Sequence, residues 1–275
     1  MTTLAYDGLP YEEFRALHRA GAPLLLPNAW DHASAAALSA AGFRAVGTTS
    51  LGVAAAAGLP DGTGATRAET VRLARGLTRL DALISVDVEG GFSDEPGDVA
   101  ALAAELAEAG AVGINIEDGR ADGTLRDTGH QVEILAAVRE AVEGRLFVNA
   151  RTDTYWLRGA GKAASETGER LEAYRGAGAD GVFVPGLGDL RVIAELTSAS
   201  GDTPLNVLHA PDGPSMPELA EAGVGRVSCG SLLFRAALGA AVTAARSVAD
   251  GAGSLPSAED VPSYAETQAL ADGFS

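Results

Sequence analysis

The stretch "LISVDVEGGFSDEPGDVAALAAELAEAGAVGINIED", residues 83–118, decides the architecture. It opens on an apolar run of strand length, with Leu83, Ile84, Val86 and Val88, the kind of run that suits a buried strand. "DVAALAAELAEAG" (98–110) then repeats Ala, Leu and Glu at helical spacing and ends in Gly110, the residue type favoured just past a helix. A second apolar run, "VGINIED" (112–118), follows at once. The order strand, helix, strand implies a parallel sheet covered on both faces.

The same alternation continues in both directions. Strands are expected near 23–30 ("PLLLPNAW"), at 45–50, 83–89, 112–118, 146–152, 181–186, 205–210 and 226–231. Ala/Leu/Glu/Arg stretches with helical spacing lie between them, and Gly42, Gly110, Gly144, Gly178 and Gly223 close several. Eight βα units in roughly 250 residues predict a closed α/β barrel of the (β/α)8 TIM type. An open doubly wound sheet is the alternative, but no G-x-G-x-x-G follows the first strand. No linker stands out, so residues 1–275 read as one barrel domain, with 251–275 as a C-terminal appendage or oligomer contact holding a short helix at 262–272.

Composition narrows the function. A chain of 275 residues that is 47% hydrophobic can bury a large core. A formal charge of −17 argues against a nucleic-acid partner, which needs basic surface. One cysteine, Cys229, rules out an internal disulfide and fits a reducing cytoplasm. The N-terminus lacks a basic region followed by an apolar run, so no secretory signal is expected. No stretch approaches 18 uninterrupted apolar residues, so no membrane partner is expected either.

Active sites of such barrels lie at the C-terminal ends of the strands, and polar residues gather there: Asn28, Trp30 and Asp31; Thr48, Thr49 and Ser50; Asp87 and Glu89; Asn115, Glu117 and Asp118; Asn149, Arg151 and Asp153; Asn206 and His209. Asp87 and Glu89 both fall on the expected 83–89 strand, so alternation puts them on one face. Three carboxylates (Asp87, Glu89, Glu117) on neighbouring strand ends would repel one another, and a hard divalent cation such as Mg²⁺ would relieve that while keeping several waters. Arg151 offers a planar fork to a substrate carboxylate. Against this, strand-end carboxylates also cap helices or pair with arginine, a reading that suits Asp118 and Asp153 best. Cys229 reads as a packed thiol, His18 and His32 as structural, and His209 as either ligand-facing or satisfied within the fold.

In order, "LLLPNAWDHASAAALSAAGFRAVGTTSLGVAAAAGLPDG", "ISVDVEGGF", "GINIEDG", "NARTD", "PLNVL" and "VGRVSCGSLLFRAALGA" resemble the isocitrate lyase/phosphoenolpyruvate mutase superfamily over roughly residues 12–250. The resemblance implies a (β/α)8 barrel whose eighth helix is exchanged between subunits of a homo-oligomer, a dimer or a tetramer. It also implies Mg²⁺, with Mn²⁺ as a substitute, and chemistry next to a carboxylate through an enolate-like state of a small 2-oxo acid. By motif, Thr49, Ser50 and Leu51 would hold the substrate carboxylate, and Asp61 would approach the metal waters. Asp87 would be the direct metal ligand, and Glu89 and Glu117 would hold its waters. Arg151 would contact substrate oxygens, and Trp30 and Asn206 would form the wall of the site.

One departure matters. The isocitrate-type lyases carry a Lys-x-Cys-Gly-His gating loop, whereas the matching region here, "EDGRADGTLRDTGHQVEIL" (117–135), has neither cysteine nor lysine. Asp127 or Thr128 reads instead as the N-cap of the next helix. The asparagine of the mutase loop is also absent between 118 and 148. The expected activity is therefore an Mg²⁺-dependent carbon–carbon lyase or decarboxylase acting on a small 2-oxo or 2-hydroxy (di)carboxylic acid. A phosphonopyruvate-type P–C hydrolase or mutase, and a non-catalytic 2-oxo acid binding protein, are the alternatives.

Overall fold

The computed structural model describes residues 9–251 and 261–275. The start of the chain (1–8), on which the expectation about a secretory signal partly rests, and 252–260 of the appendage lie outside them.

The 83–118 segment folds as its pattern predicts. β4 (Leu83–Asp87) leads into α5 (Pro96–Glu108) and then β5 (Gly113–Glu117), which pairs with β4 in parallel. Gly110 reverses the chain after α5 at φ 97°, a backbone angle that L side chains rarely adopt. Ile84, Val86, Ile114 and Ile116 point outward and meet Leu102 and Leu106 of α5 in the main core cluster. Ser85, Asp87 and Asn115 point inward.

The remaining strands are β1 (Leu24–Leu26), β2 (Asn28–Ala29), β3 (Ala45–Thr48), β6 (Phe147–Arg151), β7 (Gly181–Val184), β8 (Leu205–Leu208) and β9 (Arg226–Ser228). Every pairing is parallel, and the order is β1-β9-β8-β7-β6-β5-β4-β3-β2. The structure thus corrects the expected strand count from eight to nine. Pro27, which has no N–H to give a ladder, splits the first stave. Leu24–Leu26 pairs with β9 on one side, and Asn28–Ala29 pairs with β3 on the other. Because β1 and β2 are consecutive, their two pairings bring the sheet round into a TIM-type barrel. Asn28 fastens this seam: its Nδ2 donates to Thr48 O (2.7 Å), and its Oδ1 accepts from Cys229 N and Gly230 N (2.9 Å each).

Helices α2 (His32–Ala40), α3 (Ser50–Ala57), α4 (Arg67–Leu77), α6 (Thr128–Val142), α7 (Thr154–Arg158), α8 (Ala160–Gly176), α9 (Leu190–Ser200), α10 (Met216–Glu221) and α11 (Leu232–Ala249) follow their strands. α1 (Pro10–Ala16) contributes the fully buried Phe14 to a cluster with Leu26, Leu83 and Phe147 at the N-terminal ends of the strands. α12 (Tyr264–Ala269) and the 3₁₀ turn after it (Leu270–Phe274) set Leu270 and Phe274 against the main core, with Phe274 edge-on to His32. α11 carries only Phe234 buried and exposes Leu238 and Val242. With a mean hydropathy of 1.4 over its 18 residues, it is long and apolar enough to cross a membrane by length and composition, although Arg235 and Arg246 break its apolar run.

Candidate active site

A cavity of about 160 Å³ opens at the C-terminal ends of the strands, where barrels of this type place their chemistry. Thr49, Ser50, Leu51, Asp61, Asp87, Arg151 and Asn206, all singled out in the sequence, line it. Asp87 sits at the end of β4 and is only partly exposed. Its Oδ1 accepts from Asn115 Nδ2 (3.2 Å) and its Oδ2 from Ser50 N (3.3 Å). Its own N–H donates to Thr48 Oγ1 (2.8 Å). Asn149 Nδ2 in turn donates to Asn115 Oδ1 (3.0 Å), so a line of amides on β4, β5 and β6 orients the carboxylate from behind.

Arg151 closes β6 within a bracket of acids. Its Nη1 meets Glu117 Oε2 at 2.7 Å and its Nε meets Asp153 Oδ1 at 2.6 Å, while the guanidinium lies 5.6 Å from the centre of the Phe183 ring. Burial works against the Arg151 charge, but Glu117, Asp153 and Asp87 outweigh it and hold the group above its ordinary range. Burial lifts the Glu117 carboxyl well above the usual carboxylate range; Arg151 opposes this, and Asp153, Asp87 and Asp61 add to it. Asp61 is also raised, by burial first, with a hydrogen bond from Ser50 opposing and Asp87 reinforcing.

Two expectations are corrected. Asp87 and Glu89 do not share a strand face, because β4 ends at Asp87 and Glu89 takes a left-handed turn at φ 50°. The Glu89 carboxylate leaves the cavity and accepts from Gly64 N (2.9 Å) and Thr66 Oγ1 (2.6 Å), so both of its oxygens hold the 61–66 loop. Trp30 does not line the cavity either: it packs edge-on against Phe234 (5.4 Å), and Gly52 is small enough to lie over its Cβ. The exposed Trp156 of α7 stands at the cavity wall instead. Glu117 lies outside the lining and acts on the cavity through Arg151. The structural readings of Asp118 and Asp153 agree with their contacts: buried Asp118 accepts from Tyr174 Oη (2.6 Å), Arg170 Nη1 (3.1 Å) and Asp153 N (2.9 Å).

Arg226 and Ser228 also line the cavity and were not singled out. Their signal lay in "RVSCGS" (226–231), where polar residues two apart on a buried strand must face the barrel interior. Asp127 caps α6 by accepting from His130 N (3.1 Å), as the capping reading of "DTGH" expects. The loop before it forms a small hairpin, with Gly119 bridged to Leu125, and Arg120 and Arg126 fasten it to Asp94.

The donors facing the cavity suit a hard, hydrated cation. Asp61 and Asp87 contribute oxygen only, the donor type a hard divalent ion takes. Among the described residues, no group of three or more His, Cys, Asp or Glu is arranged to enclose a metal. Asp87 is a cavity carboxylate that could hold such an ion directly, with water filling the other positions.

Residues 14–249 match the family model of phosphoenolpyruvate phosphomutase. The chain belongs to the isocitrate lyase/phosphoenolpyruvate mutase superfamily. An uncharacterized protein of Mycobacterium tuberculosis is 47% identical over 256 residues, covering 93% of this chain and 95% of the relative. The solved structure of a protein of Burkholderia cenocepacia, provisionally assigned as a lyase/mutase, superposes with a TM-score of 0.84 at 37% identity and covers 94% of each chain. The 2-methylisocitrate lyase of Salmonella typhimurium is 31% identical over 195 residues, covering 66% of this chain and 64% of that enzyme. Relatives with named activities are thus enzymes of this superfamily, with lyases prominent among them.

Proposed function

We propose that the protein is a divalent-metal-dependent lyase that breaks a carbon–carbon bond in a small 2-oxo or 2-hydroxy carboxylic acid through an enolate intermediate. One observation carries this reading: Asp87 and Asp61 share a cavity with Arg151, whose charge Glu117 and Asp153 hold in place. Kinship with the 2-methylisocitrate lyase of Salmonella typhimurium supports the lyase class.

Asp87 would hold Mg²⁺ or Mn²⁺, with Asp61 taking its waters and Glu117 acting through Arg151. The ion would supply positive charge beside the oxygen on which negative charge develops as the bond breaks. Arg151 spends Nε and one Nη1 hydrogen on its acidic partners, so further N–H groups of its fork remain for a substrate carboxylate. Because both partners are buried, the fork is held in advance and needs little reorganisation during the reaction. Thr49, Ser50 and Leu51, at the start of α3, present polar groups and an apolar wall to the substrate. Asp61 lines the same cavity, so a water it orders would carry the proton for the enolate carbon.

Thermal unfolding in EDTA, in Mg²⁺, and in Mg²⁺ with oxalate, which mimics the pyruvate enolate, tests the binding half of the reading. Oxalate at 100 times its dissociation constant adds about 2.7 kcal/mol of stability. A shift needing both ligands supports the enolate site, and no shift under any condition removes it. Asp87→Ala is expected to abolish turnover of the oxaloacetate or alkylmalate substrate found by screening while leaving the far-UV spectrum unchanged; surviving turnover refutes the metal assignment. The mutase family match keeps a P–C reading second, and phosphate release from phosphonopyruvate separates the two. Tight Mg²⁺-dependent binding without turnover of any such acid would mark a binding protein.

A further inference from the structure

The cavity has two poles. Its rim is acidic, with Asp61 and Asp87, while its floor is cationic. Arg226, at the start of β9, is 2% exposed, and its Nε and Nη1 are buried without a hydrogen-bond partner. Asn206 stands beside it in register on β8, 1% exposed, with both its side-chain nitrogen and oxygen unpartnered. Ser228, two residues further along the same inward face, is 5% exposed, and its Oγ is also unpartnered. All three line the cavity.

Buried polar groups in folded proteins find partners, and an uncompensated buried guanidinium is strongly destabilising. Among the described residues no carboxylate forms an ion pair with Arg226, although the Asp87 charge acts on it from a distance, whereas Arg126, Arg151 and Arg170 each meet at least one directly. The three side chains border one space: a guanidinium, an amide and a hydroxyl on adjacent strands. That set is complementary to a carboxylate, which can accept from the guanidinium, the amide N–H and the hydroxyl at its several lone pairs.

We propose that Arg226, Asn206 and Ser228 form a carboxylate-binding subsite at the floor of the cavity, which takes the second carboxylate of a dicarboxylic substrate. One carboxylate takes the floor while the reacting end sits at the rim with Arg151 and Asp87. This assignment rests on the carboxylic-acid reading of the site above. It makes Arg226 a specificity-determining residue, because a monocarboxylate leaves either the floor or the rim unmet. The two poles are fixed by one rigid barrel, so affinity depends on the length of the acid.

The test is a titration with malonate, succinate and glutarate beside acetate, propionate and butyrate. Each is run in EDTA and in Mg²⁺, and read by thermal unfolding and by fluorescence of Trp156 at the cavity wall. The expected result is tighter binding of the dicarboxylates, with one chain length preferred. Arg226→Gln should lose about ten- to a hundredfold in dicarboxylate affinity while keeping the oxalate response in Mg²⁺. Ser228→Ala, whose hydroxyl holds nothing within the protein, should weaken the same ligands several-fold and stands in if Arg226→Gln does not fold. Equal binding of mono- and dicarboxylates, no binding of either, or a dicarboxylate preference that survives Arg226→Gln or Ser228→Ala overturns the subsite. Loss of the Mg²⁺ and oxalate response with an Arg226-dependent dicarboxylate preference retained would refute the enolate reading and leave the floor standing.

Discussion

Beneath the floor the His18 ring lies flat on Phe147, with centroids 4.4 Å apart, and its Nδ1–H donates to Phe14 O (2.8 Å). The residue keeps some exposed surface, but its Nε2 is buried without a partner. Burial, with the Arg226 charge adding to it, pushes the imidazole down to about 3. The unfolded chain takes up this proton below about pH 6.5, and the folded ring refuses it until about pH 3. Stability contributed by neutral His18 is therefore complete above pH 6.5 and falls on acidification, by up to about 1.4 kcal/mol per pH unit. Urea midpoints followed from pH 7 to pH 4.5 should fall more steeply for the wild type than for His18→Gln; parallel slopes would refute the assignment. Residues that line the cavity were legible one by one where they stand at strand ends: Asp87, Arg151, Asn206, and Thr49 with Ser50. Arg226 stands at the opposite, N-terminal end of its strand, where a search of strand ends for the site does not reach, although its spacing from Ser228 carries the signal.

The loop 61–66 owes its position to an acid that alternation assigns to the cavity. Glu89 serves Gly64 and Thr66 because the backbone turns at residue 89, and the pattern "DVEGG" does not announce where its strand stops. Thr66→Val takes away a hydroxyl donor from this buried carboxylate and should cost about 1–3 kcal/mol in urea unfolding. The Mg²⁺ and oxalate response should persist, since Asp87 is untouched; its loss would return Glu89 to the metal site. The hairpin at 119–125 was expected only as a region lacking the lyase cysteine. Asp94 holds it through Arg120 and Arg126, and contacts between loops that follow different strands have no signature in a local pattern. The strand–helix alternation, by contrast, was readable almost throughout, because each βα unit buries its own apolar face. Only Pro27 altered the count, and its missing N–H is the reason.

For the molecule as a whole, α11 is the unfinished surface. Leu238, Val242 and Val248 are each more than half exposed on a helix that buries little against its own barrel. We propose that a second copy of this chain covers it, as the family resemblance implies, rather than a membrane. Light scattering on the eluted protein should give the mass of a dimer or tetramer, and Leu238→Glu with Val242→Glu should lower it; a wild-type monomer would refute the proposal. Charge and cysteine content limited the candidate partners at this scale, but neither bears on how subunits meet.

The seam at Pro27 also bears on how the molecule is made. Leu24–Leu26 must wait for Arg226–Ser228, about two hundred residues later in the chain, before β1 gains its neighbour. Contacts so distant in sequence close slowly, since the intervening chain must first be ordered. During synthesis the βα units from residue 45 onward can pack in turn as they leave the ribosome, while the β1 edge stays open until almost the last stave has emerged. The floor with Arg226 at its centre therefore forms last, so the guanidinium stays hydrated through most of folding and loses its water only when the ring shuts.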